Sequence, residues 1–146
     1  VMYEILKHTH SGLRWVALIL ILLAIYNSIT AKEFTKREKL INLFSMVSLH
    51  TQLILGLILY FWIDSPKVRF FDGWMKDAIY RFYGMEHLAG MVIAIALITF
   101  GYVKSKKGTT PAEIYKPIKL FYIIGLILIL ASIPWPFRAN LGGGWF

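Results

Sequence analysis

Four continuously apolar runs, 8–31, 39–62, 80–103 and 117–135, occupy most of a 146-residue chain. A helix needs about 20 apolar residues to cross the hydrocarbon core of a bilayer, and the runs are of that length. Inside lipid a backbone must satisfy its own polar groups, which leaves helices or a closed barrel. A barrel strand alternates apolar and polar residues, and these runs do not. The sequence therefore predicts an all-α integral membrane protein: a four-helix up-down-up-down bundle that forms a single domain over 1–146, with no room for a soluble module.

Charge supports the same class. Only 16% of the residues are charged and 58% are hydrophobic, against about 25% charged in soluble domains. The net charge of +8 sits in turns and at the ends of the runs, where it reports topology rather than a nucleic-acid surface. The two short turns and the bases of the runs beside them carry Lys32, Lys36, Arg37, Lys39, Lys104, Lys106, Lys107, Lys116 and Lys119. The opposite side carries Lys7, Arg14, Lys67, Arg69, Lys76, Arg81 and Arg138, together with Asp64, Asp72 and Asp77. The positive-inside rule then places the short turns in the cytoplasm of a bacterial inner membrane and both termini in the periplasm. The first run reads as a retained span rather than a cleaved leader, because it is long and no A-x-A site follows it. The absence of cysteine excludes disulfides, thiolate-held iron–sulfur clusters and haem attached through C-x-x-C-H.

Three histidines lie inside the runs, His10, His50 and His87, and His8 stands at the very start of the first. An ionisable side chain in lipid is expensive, so its first reading is a functional site. At 1.5 Å per residue His87 lies about 10 Å from the outer end of its helix and His50 about 18 Å, and His10 has a depth comparable to His87 if the first helix starts near Tyr3. Imidazole ligates haem iron, zinc and copper. Helices 1 and 3 are diagonal in a four-helix bundle, which makes His10 and His87 the preferred axial pair for one haem b, with His50 a neighbour or a proton relay. The alternative is a three-histidine zinc or copper centre with Glu86 nearby. A further alternative is a non-catalytic subunit of a larger membrane complex, or a homo-oligomer, with 64–79 and the C-terminal tail as docking surfaces.

The surroundings fit a porphyrin. His87, Gly90, Ala94 and Gly101 share one face, as do His10, Arg14, Ala17, Ala24 and Ser28. Small residues let a flat ring approach the backbone, and they equally let membrane helices pack closely. Arg14, Arg81 and Arg138 lie near the outer boundary, where forked guanidinium groups would meet propionates; snorkelling to the interface is the plainer reading of each. Glu86 would either support the His87 imidazole or pair with Arg81 or Arg14. Gln52, Ser48, Thr51 and Tyr83 offer hydrogen bonds to a quinone headgroup or between helices.

Four short motifs carry a resemblance: His8-Thr9-His10-Ser11-Gly12-Leu13-Arg14-Trp15; Ser48-Leu49-His50-Thr51-Gln52-Leu53 with Gly56; Arg81-Phe82 followed by Met85-Glu86-His87; and Pro134-Trp135-Pro136-Phe137-Arg138. With them the chain resembles, over nearly its whole length, small four-helix bacterial membrane proteins described as cytochrome b-like. The resemblance implies non-covalent haem b held by transmembrane histidines, with electron exchange to quinone or a redox partner. Two-haem cytochromes of this size usually offer four ligand histidines, two near each face. Here the candidates number three, on one side, which implies a single haem per chain.

Overall fold

The protein, described over residues 1–146 by a computed structural model, is entirely helical. Its four long helices are α1 (Met2–Thr30), α2 (Lys36–Phe61), α3 (Ala78–Ser105) and α4 (Pro111–Ser132), and each is long and apolar enough to cross a membrane. Turns at 31–35 and 106–110 join α1 to α2 and α3 to α4, so those pairs run antiparallel. Each helix packs on its sequence neighbours and α4 closes the ring against α1, which leaves α1 and α3 on one diagonal.

The helix ends follow local chemistry. At the start of α2 the Thr35 backbone N–H donates to the Glu38 carboxylate at 2.9 Å, and the Thr35 hydroxyl donates to the same oxygen. At the start of α4 the Glu113 N–H donates to Thr110 Oγ1 at 3.3 Å, while Glu113 Oε2 accepts from the Thr109 and Thr110 N–H groups. With Pro111 at the first helical position, this capping box starts α4 six residues earlier than the apolar run suggested. Pro117 is consequently inside the helix, where neighbouring helices can compensate for its missing N–H. Removing the cap, Thr110→Ala, is expected to cost about 1 kcal/mol, read as lower thermal stability in detergent at unchanged helix content. The other end of α4 stops at Ser132 because Ile133 turns extended (φ −79°, ψ 134°) ahead of Pro134.

Packing is tightest between α3 and α4. A Cβ placed on Gly90 would lie 2.0 Å from Ser132 Oγ, one on Gly101 2.6 Å from Phe121 Cβ, and one on Gly125 2.3 Å from Ile98 Cγ1. Glycine at these points lets the two helices approach with side chains interleaved. The buried centre is built from Ile21, Ala94, Ile98, Ile118 and Tyr122. Ile19, Leu22, Ile54, Ile93 and Ile127 are exposed on the outside, as expected of surfaces that meet lipid. Gly12 on α1 has nothing within 4 Å of its Cβ position. Gly12→Ala should therefore raise stability by about 0.5–1 kcal/mol through helix propensity alone, measured by the same thermal unfolding.

Candidate functional site

Toward the end of the bundle where both chain termini lie is a cavity of about 400 Å³ whose lining includes His10, Arg14, Gln52, Gly56, Tyr83 and His87. That volume falls within the usual range for small-molecule sites, about 300–1,000 Å³. The inward wall is apolar, with Leu18, Ile21, Leu53, Met91, Ile95 and Ile129 among its residues. The outer wall includes Lys7, Lys67 and the tail glycines Gly142, Gly143 and Gly144.

His10 on α1 and His87 on α3 meet across the bundle diagonal. Their ring centroids are 6.3 Å apart and their planes lie at 82°. Both rings line the cavity. His87 Nδ1 lies 2.6 Å from the Ser132 carbonyl. A carbonyl only accepts, so Nδ1 carries the proton and the neutral ring keeps its lone pair on Nε2. Ligand histidines are commonly oriented by such a bond, which also raises their basicity. His10 Nδ1 is buried and meets no partner.

Local structure explains how both rings reach the cavity. Gly56 makes room on α2: its Cβ position is 3.4 Å from His10 Cε1. Gln52, one helical turn earlier on the same face, donates from Nε2 to the His10 carbonyl at 2.9 Å. Its Oε1 is buried without a partner. On α3 a π-helical turn, Phe82–Glu86, ends immediately before His87. A π-turn adds one residue to the helical repeat and re-aims the residues after it, and such turns recur at functional sites. Tyr60 on α2 holds this turn by donating from its hydroxyl to the Gly84 carbonyl at 2.7 Å.

His50 is not in this group. It is exposed, and its Nε2 is 3.0 Å from Thr99 Oγ1. Thr99 is twelve residues beyond His87 on α3, about 18 Å farther along the axis. Nor does any group of three or more His, Asp or Glu side chains come close enough to hold a metal ion. The three-histidine zinc or copper centre with Glu86 nearby is therefore not assembled. The Glu86 carboxylate instead accepts from Arg81 Nε at 2.8 Å.

Other expected residues divide. Arg14 lines the cavity, but Arg81 and Arg138 do not. Arg81 is occupied by Glu86 and the Met75 carbonyl. Arg138 donates to the Ala131 and Ile133 carbonyls at 2.8 and 3.2 Å, finishing the end of α4, and its guanidinium lies over the Phe82 ring. Gly90 and Ala94 do not form a porphyrin face: both pack against α4, Gly90 beside Ser132 and Ala94 beside Gly125. Ser48 and Thr51 donate to carbonyls of their own helix, while Gln52 and Tyr83 remain at the cavity. His8 is exposed beside Glu4.

Two contributors escaped sequence reasoning. Lys67 reaches the cavity from the 62–77 connection, donating to the Gly142 carbonyl at 2.8 Å and the Tyr83 hydroxyl at 3.2 Å. The C-terminal tail is folded over the same end of the bundle. Arg14 Nη2 donates to the Gly144 and Trp145 carbonyls at 3.2 and 2.6 Å, and Trp15 Nε1 to the Trp145 carbonyl at 2.8 Å. The three consecutive glycines were the available signal: a Cβ on Gly143 would sit 1.7 Å from the Pro134 carbonyl.

No family model, curated protein or solved structure matches the chain.

Proposed function

We propose that the protein is a membrane b-type cytochrome that holds one non-covalent haem between His10 and His87 and exchanges electrons with quinone or a redox partner. The observation that carries this reading is the meeting of two imidazoles from diagonal helices at 6.3 Å beside an apolar cavity. Three orphaned buried polar atoms belong to that cavity's lining: His10 Nδ1, Arg14 Nε and Gln52 Oε1. Buried polar atoms are nearly always partnered, and three of the protein's six exceptions fall in this lining, the others being on Asn27, Asn42 and Tyr122, which supports a bound group here. The haem-binding pattern implied by the sequence motifs agrees with this.

His10 and His87 would hold the iron, with the Ser132 carbonyl fixing the His87 tautomer. Gln52 fixes α2 to α1 at the level of His10, and Gly56 leaves the imidazole its space. Leu53, Met91 and Ile95 exclude water from the inward wall. When bound, haem iron supplies reversible one-electron chemistry, and two imidazole ligands suit electron transfer rather than oxygen binding. The distribution of lysine and arginine supports a bacterial inner-membrane location with both termini periplasmic, which puts the cavity toward the periplasmic side.

Purification in mild detergent, followed by a dithionite-reduced minus oxidised spectrum with pyridine haemochrome quantitation, tests the reading. Sharp reduced α and Soret bands at about one haem per chain are expected. A featureless spectrum after haem supplementation during expression would refute it.

A further inference from the structure

The outer end of the cavity carries two cations without a counter-anion. Arg14 and Lys67 both line it. The protein's ion pairs are Lys7 and His8 with Glu4, Arg69 with Asp64, and Arg81 with Glu86. Arg14 and Lys67 belong to none of them. Their acceptors are neutral: main-chain carbonyls of Gly142, Gly144 and Trp145, and the Tyr83 hydroxyl. Arg14 Nε, moreover, is buried with no hydrogen-bond partner, the guanidinium lying over the Trp15 and Trp135 rings.

A partly desolvated cation held only by neutral acceptors is costly, and buried charges are ordinarily paired. Burial, followed by the nearby positive charge of Lys7, holds Lys67 below the usual lysine pKa, and the Glu4 carboxylate, paired with Lys7, offsets only part of that shift. The cavity is thus two-ended. Its inward wall suits an apolar body, and its outer end suits negative charge on short arms.

We propose that Arg14 and Lys67 form a clamp for the carboxylate arms of the cavity's occupant, with the folded-back tail completing the rim. This rests on the haem reading, under which the arms are the two propionates, directed outward. It also replaces the expected Arg14–Arg81–Arg138 set by a pair that reaches the cavity from α1 and from the 62–77 connection. Arg14 can give forked donors to one carboxylate, whereas the Lys67 ammonium acts as a point charge.

The test is an optical titration of the haem-free protein in detergent with ferric haem and with its dimethyl ester, which keeps the macrocycle and removes both negative charges. Wild type should bind the free acid about tenfold or more tightly than the ester, as charged hydrogen bonds would give. Arg14→Gln/Lys67→Gln should lose that preference by weakening on the acid while keeping its affinity for the ester, which also shows that the variant is folded. Arg69→Gln, in an exposed pair with Asp64, should behave as wild type. Equal wild-type affinity for acid and ester would overturn the clamp and leave the haem reading standing. Failure of wild type to bind either form would overturn both.

Discussion

Replacing both His10 and His87 by alanine should reduce bound haem from about one per chain to background, with loss of the reduced α and Soret bands. His50→Ala should retain the full complement. The contrast follows from geometry. The two imidazoles that meet at 6.3 Å line one cavity, whereas His50 bonds Thr99 on the outside of the bundle. Each single variant should retain a weakened, altered spectrum, since one imidazole remains. Difference spectra and haemochrome quantitation read the result, with circular dichroism and gel filtration confirming that each variant is folded. Full haem in the double variant would contradict the assignment, and so would its loss from His50→Ala alone.

The second large effect concerns the α3–α4 seam. Gly125→Val would put a Cβ 2.3 Å from Ile98 Cγ1, 2.6 Å from Ile98 Cδ1 and 3.3 Å from the Ala94 carbonyl. Ile98 and Ala94 are both fully enclosed, so Ile98 has no room to move aside. Overpacking of this kind costs about 1–3 kcal/mol. The damage should reach the site, because the Ser132 carbonyl that orients His87 is at the end of the displaced helix. Gly125→Val should accordingly unfold at lower temperature and release haem faster. An unchanged melting temperature would show that the seam is looser than these distances imply. The opposite sign expected of Gly12→Ala separates the loss of space from the general effect of removing a helical glycine.

The architecture was legible because length and hydropathy decide it: apolar runs of bilayer length leave the backbone little choice but helix. The ends were less so. Local capping, as at Thr110 and Pro111, extends a helix into polar sequence that hydropathy leaves out. The pair His10 and His87 could be anticipated from depth and from the diagonal relation of their helices. His50 was misjudged in both depth and azimuth: it bonds Thr99, about 18 Å beyond His87 along α3. It is six residues from Gly56, which abuts His10, and six residues rotate a helix to a face about 120° away. The roles of Gly90 and Ala94 were ambiguous for a related reason, since small residues serve helix packing and ligand approach alike. The π-turn over Phe82–Glu86, which fixes what α3 presents inward, has no clear sequence signature. Lys67 and the tail lie far from α1 in sequence, and only the fold brings them to Arg14.

The most direct measurement is an anomalous-difference map at the iron absorption edge, from crystals of the haem-loaded protein. One iron peak per chain is expected, between the His10 and His87 imidazoles and within coordination distance of both. A peak beside His50, or one that lacks either His10 or His87 as a ligand, would contradict it.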